Sequence, residues 1–310
     1  MKFLFASDSF KGTLSSRRTA ELLTQAAGEI FPGCSCASID IADGGEGTTE
    51  AVLSAVNGAR VSLTVKGPLW EETSGFYGNL DGTRAVMEMA AASGLPLVPC
   101  NKRDPRKTTT YGTGQMIADA LEKGFRDISI AIGGSATNDG GIGCMRALGV
   151  KFLDENGEEL PGCGEDLIHI RSIDVSGLDP RVKRCNFTVM CDVTNPLCGE
   201  SGATYTFGKQ KGGTPEILDE LEKGMCNYRD ILFRQFGINM DNVPGSGAAG
   251  GLGAALMVFL NGTLKSGIET VLDLVEFDRK LNGVSLVVTG EGATDWQSVF
   301  GKVMQGVGVH

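Results

Sequence analysis

The sequence predicts an α/β fold with parallel sheets, on three observations. Apolar strands alternate with stretches of helical period at both ends of the chain, a pattern that lays helices over the faces of a parallel sheet. Four strands run directly into turns rich in glycine and carboxylates, and ligands of such sheets sit beyond the carboxyl ends of the strands. Glycine makes up 45 of 310 residues, roughly twice the usual share. It shows no collagen period, so many backbone positions call for small or left-handed residues.

The first strand, Lys2 to Ala6, enters the turn SDSFKG, Ser7 to Gly12. Ser15 or Ser16 then caps a helix with Ala20, Leu23, Ala27 and Ile30 on one face. The second strand, Ala37 to Ala42, enters DGGEGT, and Ala51, Val52, Ala55 and Val56 mark the next helix. Val61, Leu63 and Val65 alternate as in a strand, with further short strands at Thr73 to Tyr77 and Thr83 to Met87. Helices follow at Gly114 to Leu121 and Ile217 to Phe236. The third strand, Asp127 to Ile132, enters GGSATNDGG, and Val150 to Leu153 with the turn Asp154 to Gly157 reads as a hairpin or an excursion. Asn242 to Leu264 carries no charge, but six glycines leave an apolar run only from Ala254 to Leu260, which suits a buried helix and not a membrane span. The fourth strand, Val284 to Val288, enters TGEGATDWQS. Gly301 to His310 begins another helix where the sequence stops, as expected of a piece of a longer protein. Domain changes are expected near residues 62 and 283.

Composition excludes several classes. Hydrophobic residues are 41% and charged residues 21%, enough for a large core and against disorder. A net charge of −10 repels phosphate backbones and anionic membranes, so neither nucleic acid nor membrane is an expected partner. The apolar run Met1 to Phe5 is too short for a signal peptide. Nine cysteines without such a signal indicate reduced thiols and a cytoplasmic location. They show no paired C-x-x-C spacing, and His169 and His310 are far apart, so no zinc site is expected.

No Walker A pattern occurs. Gly245, Gly247 and Gly250 form a G-x-G-x-x-G, but Asn239 to Pro244 makes a poor preceding strand, which leaves a nicotinamide-dependent dehydrogenase as the weakest reading. The surrounding run Ser246 to Leu256 can still present backbone N–H groups to a phosphate. GGSATNDGG, Gly133 to Gly141, lets backbone approach an anion, with Ser135, Thr137, Asn138 and Asp139 adding polar groups; an ordinary glycine turn is the bland alternative. Asp8, Asp43, Glu46, Asp139, Asp192, Glu291 and Asp295 all lie in or beside such turns. Singly each is a turn residue; together at one sheet edge they would hold Mg²⁺, a hard cation that selects oxygen ligands. Lys11 and Lys302 could neutralise phosphate charge there. Lys102, Arg103, Arg106 and Lys107 form a basic cluster ahead of TTTYGTG, either an anion-recognising edge or a solvated face.

Taken together, these turns resemble the class I glycerate kinases of bacteria. The matching segments are SDSFKGTLS (Ser7 to Ser15), ADGGEGT (Ala42 to Thr48), TTTYGTG (Thr108 to Gly114) and GGSATNDGG (Gly133 to Gly141). They continue with CDVTNPLCG (Cys191 to Gly199), FGKQKG (Phe207 to Gly212), SGAAGGLG (Ser246 to Gly253) and TGEGATDWQS followed by Gly301 and Lys302. The resemblance spans almost the whole chain in the family's order. It implies ATP-dependent phosphorylation of D-glycerate to 2-phosphoglycerate with Mg²⁺. It also implies a flavodoxin-like parallel-sheet domain from both chain ends, residues 1–62 plus 284–310, with a second α/β domain, residues 63–283, inserted between them and the site in the cleft.

On that reading Asp295 orients or deprotonates the attacking hydroxyl, and Lys11 stabilises charge on the transferred group. Asp192 and Glu291 hold the metal. Gly133, Gly134, Ser135, Asn138 and Asp139, with Ser246, Gly247 and Gly250, cradle the nucleotide. Asp8, Ser9, Asp43, Glu46, Arg103 and Thr109 meet the acid substrate. Two departures from the family stand out: Ala293 occupies a position that is usually basic, and family members continue beyond the equivalent of His310. A catalytically silent protein that binds nucleotide or glycerate remains the alternative, and the oligomeric state is open.

Overall fold

The computed structural model describes residues 1–10, 13–42, 44–241, 243–292 and 303–310. Its first strand, β1 (Lys2–Ser7), is buried on both faces: Leu4 and Ala6 point one way, Phe3 and Phe5 the other, as the two-residue period of a strand requires. Helix α1 (Ser16–Ile30) covers the Phe3 and Phe5 face with Ala20 and Ala27. Ser15 caps it by accepting from the Arg18 N–H at 3.2 Å, a contact that contributes about 1 kcal/mol. β2 (Ser35–Asp40) and α2 (Thr48–Val56) follow. With β11 (Leu286–Gly290) from the far end of the chain, these strands make a three-stranded parallel sheet in the order β11-β1-β2.

The chain between builds a six-stranded sheet in the order β10-β9-β6-β5-β4-β3. Its antiparallel edge is a meander of β3 (Ala59–Lys66), β4 (Glu72–Asn79) and β5 (Arg84–Glu88). Beyond β5 the pairing turns parallel through β6 (Asp127–Ala131), β9 (Asn186–Met190) and β10 (Thr263–Lys265). The sheet is therefore mixed. The reason is local: β3, β4 and β5 are joined by connections too short for a crossover. Because β3 opens at Ala59, the crossing from one sheet to the other comes ahead of residue 62.

Helices α3 (Ala90–Ser93), α4 (Tyr111–Glu122), α5 (Ile142–Ala147), α6 (Ala203–Phe207), α7 (Pro215–Phe236) and α8 (Leu252–Leu260) accompany the larger sheet. α7 has the ends its sequence prescribes: Thr214 accepts from the Ile217 N–H, Pro215 opens the helix, and Gly237 closes it at φ +70°. α8 is the apolar segment, buried and only nine residues long, and among the described residues no helix is long and apolar enough to cross a membrane. The turn Asp154 to Gly157 closes as expected: the Asp154 N–H donates to the Glu158 carbonyl at 3.0 Å and the Leu160 N–H to the Phe152 carbonyl at 2.8 Å. β7 (Lys151–Leu153) meets Glu159 through a single bridge and finds its antiparallel partner in β8 (Ser172–Asp174).

A core between the two sheets joins them. Leu4, Ala6 and Ile39 from the smaller sheet pack with Val86, Ala131 and Met190 from the larger. α9 (Gly267–Leu274), α10 (Phe277–Lys280) and α11 (Val303–Val309) add Ile268, Val271, Phe277, Val303 and Val307. This shared core brings the carboxyl ends of β1, β2, β6, β9 and β11 to one rim.

Candidate active site

Ser7 pairs with Gly290, and the Asp8 N–H continues the ladder to the Gly290 carbonyl at 2.9 Å, so Asp8 and Glu291 leave adjacent strand ends. From β2 the turn carrying Gly44 and Gly45 crosses to the other sheet. Gly44 has φ +86°, and a Cβ there would lie 2.9 Å from the Gly267 Cα, which only glycine tolerates. Beside this contact is a cavity of about 430 Å³ lined by Gly44, Gly45, Gly133, Gly134, Ser135 and Asp192 on its polar side. Leu95, Ile132, Met190 and Phe207 form its apolar side, with Ala248 and Ala249. The size falls in the range of small-molecule sites, roughly 300–1,000 Å³.

The turn after β6 supplies backbone donors. Gly133 and Gly134 are exposed to the cavity, and among the described residues their N–H groups donate to no protein acceptor. The loop is held from behind: the Gly134 carbonyl accepts from the Leu95 N–H, and the Ser93 carbonyl accepts from the Ala136 N–H, both at 2.9 Å. Opposite it, Ala249 holds a left-handed φ of 54°, a conformation that costs a residue with a Cβ about 1 kcal/mol or more.

The two glycine-rich motifs are packed together. The Gly140 N–H donates to the Gly250 carbonyl at 2.9 Å, and a Cβ on Gly250 would reach 2.0 Å from the Thr137 carbonyl oxygen. Gly250 is therefore a packing glycine. Ser246 and Gly247 are likewise turned inward, Ser246 donating its hydroxyl to the Met240 carbonyl, while Gly247 abuts Pro196. Their neighbours Ala248 and Ala249 reach the cavity instead. Among the described residues no strand precedes this segment, and a bend with left-handed backbone at Ala249 and Gly250 leads into α8, so they do not form the strand–turn–helix context of a dinucleotide fingerprint.

Asp139 lies in the interior. One carboxylate oxygen accepts from the Thr110 N–H and hydroxyl and the Gly143 N–H, the other from the Gly141 N–H. Burial pushes its pKa up, against the pull of those hydrogen bonds. Asn138 is fully buried and donates to Thr204. Thr109 is also buried, its hydroxyl given to the Gly162 carbonyl. All three sit behind the cavity wall. Arg103 donates weakly to the Val98 carbonyl and does not line the cavity. In the same basic cluster Arg106 pairs with Asp104 and Glu220, and Lys107 with Glu165, which leaves these two as parts of ion pairs.

Asp192 follows β9 and lines the cavity, and its Oδ1 accepts from the Gly267 N–H at the start of α9 at 2.9 Å. Ser9 donates its N–H to Asp8 at 2.6 Å. Glu46 is exposed and stands near Glu88, whose carboxylate accepts from the Gly47 and Thr49 N–H groups at the start of α2. Burial first, then the Glu46 charge, raise the Glu88 pKa against those bonds. Among the described residues no trio of His, Cys, Asp or Glu that includes Asp192 or Glu291 converges into a ready cage. Lys11, Asp43 and Asp295, with Ala293 and Lys302, lie outside the described residues.

Sequence reasoning missed Lys211. It is 2% exposed and donates from Nζ to the Thr137 carbonyl at 2.6 Å, and burial brings its pKa down to about 7 although Asp139 opposes the shift. Nothing in its segment, FGKQKG, distinguishes an interior lysine from a surface one. Phe207 and Gln210 of that segment line the cavity.

Parallel strands that end in glycine-rich turns around a cavity with unclaimed backbone donors and the Asp192 carboxylate define an α/β protein suited to holding an anionic ligand. A model described as the glycerate kinase family matches residues 3–309. The chain is 48% identical over 308 residues to the glycerate 2-kinase of Escherichia coli (strain K12) and 46% identical to the glycerate kinase of Bacillus subtilis (strain 168). In both comparisons 99% of this chain aligns with 81% of the relative. A crystal structure of a "putative glycerate kinase 2" from Salmonella typhimurium LT2 superimposes with a TM-score of 0.92 at 45% identity, covering 98% of this chain and 81% of that one. The chain belongs to the glycerate kinase family.

Proposed function

We propose that the protein transfers the γ-phosphoryl group of ATP to the 2-hydroxyl of D-glycerate, giving 2-phosphoglycerate, in the cavity between the two sheets. The observation that carries this reading is the pair of unclaimed N–H groups at Gly133 and Gly134, on the same cavity wall as Ser135 and with Asp192 also in the lining. Backbone donors of this kind bind phosphate oxygens without a Walker loop. The apolar wall of Leu95, Ile132, Met190 and Phe207 suits a purine base.

Asp192 is the carboxylate that fits Mg²⁺: it is a hard oxygen donor in the cavity lining, and this ion is commonly held by one or two carboxylates with substrate phosphates and water. Glu291, at the neighbouring strand end, is the second candidate. The ion would supply charge neutralisation on the phosphates. The protein's own part is alignment: the Gly44–Gly45 turn and the Gly133–Ser135 turn fix the two sides of the cavity, and Asp8 with Ser9 at the end of β1 offers polar groups for the acid substrate. Asp295 would orient the attacking hydroxyl and Lys11 would face the transferred group, roles that rest on the sequence. Phosphoryl transfer of this type depends mainly on positioning and electrostatics.

In this proposal residues from both chain ends form the flavodoxin-like unit and the intervening chain forms the second. The protein acts in the cytoplasm. A coupled assay for ADP release tests the reading. Release that requires ATP, Mg²⁺ and D-glycerate together supports it; binding of nucleotide without release would favour the silent alternative.

A further inference from the structure

We infer that Cys198, Glu222 and Cys226 form a zinc site away from the cavity described above, one that pins the loop following β9 to helix α7. Glu222 and Cys226 are four residues apart, so they share one face of α7, and Cys198 approaches that face from the loop. The three ligand atoms all lie within 4.8 Å of one another. Tetrahedral Zn²⁺ with Zn–S bonds near 2.3 Å and Zn–O bonds near 2.0 Å places its ligands roughly 3.5–3.8 Å apart, so the trio needs to close by about 1 Å.

A second observation points to a cation. Glu222 is 8% exposed, and its two carboxylate oxygens differ. Oε1 accepts from the Gly199 N–H at 2.6 Å and meets the Cys226 thiol at 3.7 Å. Oε2 is buried without a hydrogen-bond partner. A buried carboxylate oxygen left bare is costly, and a metal ion bound to it removes the cost.

Charge points the same way. Two thiolates and one carboxylate carry three negative charges. Zn²⁺ offsets two, and Arg229, which also pairs with Asp230 and Asp241, lowers the cost of the remaining charge on both thiols. Two sulfurs and one oxygen suit this borderline-soft ion and not Mg²⁺. The groove beside the trio, lined by Tyr205, Asp219 and Asn227, leaves a side open for water as a fourth ligand. The same loop carries Asp192, so a clamp at Cys198 fixes the segment that runs from the cavity to α7. Sequence spacing concealed the trio, because Cys198 and Cys226 lie 28 positions apart and the third ligand is a glutamate.

The test uses the full chain, reduced and stripped of metal by a chelator, titrated with Co²⁺ and then with Zn²⁺ against a chromophoric competitor. The expected result is one Co²⁺ per chain with a thiolate charge-transfer band in the near ultraviolet, displaced by one equivalent of Zn²⁺. Glu222→Gln, which keeps an acceptor for the Gly199 N–H, and Cys226→Ser should each weaken Zn²⁺ binding at least tenfold with unchanged far-ultraviolet circular dichroism. Cys100→Ser, at an exposed thiol elsewhere, should leave it unchanged. Absence of the thiolate band, binding indifferent to both variants, or capture of the two thiols as a disulfide with no metal bound would overturn the proposal.

Discussion

The Lys211 ammonium donates to the Thr137 carbonyl at 2.6 Å inside the protein, tying the segment that bears Phe207 and Gln210 to the loop that bears Gly133 and Ser135. The carbonyl it uses is the one against which Gly250 packs, so three separate stretches of chain meet at Thr137. The folded pKa of Lys211, about 7, lies below its ordinary 10.5 because burial penalises the charged form. The unfolded chain therefore holds nearly one more proton between these values, and this group's contribution to stability rises with pH across that window. Between pH 6.5 and 8.5 the wild type should gain about 2 kcal/mol more than Lys211→Met, from about 1.36 kcal/mol per pH unit. Urea melts at the two pH values measure it; equal gains would show the amine to be solvated.

Asp192 should separate stability from turnover. In Asp192→Asn the amide oxygen can still accept from Gly267, so stability should change by no more than about 0.5 kcal/mol. Turnover should fall by about 100-fold, with partial recovery at raised Mg²⁺. Wild-type turnover with wild-type Mg²⁺ dependence would remove Asp192 from the site.

Asp139 should behave in the opposite way. Asp139→Asn sets an amide donor against the N–H groups that the carboxylate accepts from, and should cost roughly 3 kcal/mol of stability. Thermal melting monitored by circular dichroism tests this. A variant as stable as wild type that no longer binds nucleotide would place the carboxylate on the ligand.

Gly44 and Gly33 form a matched pair. Both are left-handed, but a Cβ at Gly33 meets nothing within 4 Å, whereas one at Gly44 is 2.9 Å from the Gly267 Cα. Gly33→Ala should lose roughly 1 kcal/mol, and Gly44→Ala should lose 1–2 kcal/mol more, with weaker nucleotide binding in the second alone. Denaturant melts and equilibrium binding compare them; matching losses would deny that the close approach shapes the cavity.

The elements and the rim were legible where local chemistry decides. The strands opening at Lys2 and Asp127 and the Ser15 cap follow from period and side-chain type. The turns at Gly44, Gly133 and Asp192 line one cavity, as carboxyl ends of parallel strands should. What sequence hid depends on distant partners. Helix α4 begins at Tyr111, three residues before its expected start, and includes Gly114, where a Cβ would lie 2.2 Å from the Cys144 carbonyl; the glycines that make the segment look like a turn serve helix packing. The resemblance gives Asn138 and Asp139 to the nucleotide and Thr109 to the acid substrate, and in the structure each is buried on a protein partner. Their partners, Thr204, Thr110 and Gly162, are far enough along the chain that no spacing reveals them. Lys211 looks like a surface charge for the same reason.

Phosphorus NMR of a reaction containing ATP, Mg²⁺, D-glycerate and the full chain tests the central claim most directly. The account predicts a new phosphomonoester resonance, identified as 2-phosphoglycerate by addition of the authentic compound, growing as the ATP signals give way to ADP. ATP left intact in the presence of glycerate would contradict phosphoryl transfer, and a product matching 3-phosphoglycerate would contradict the assigned hydroxyl.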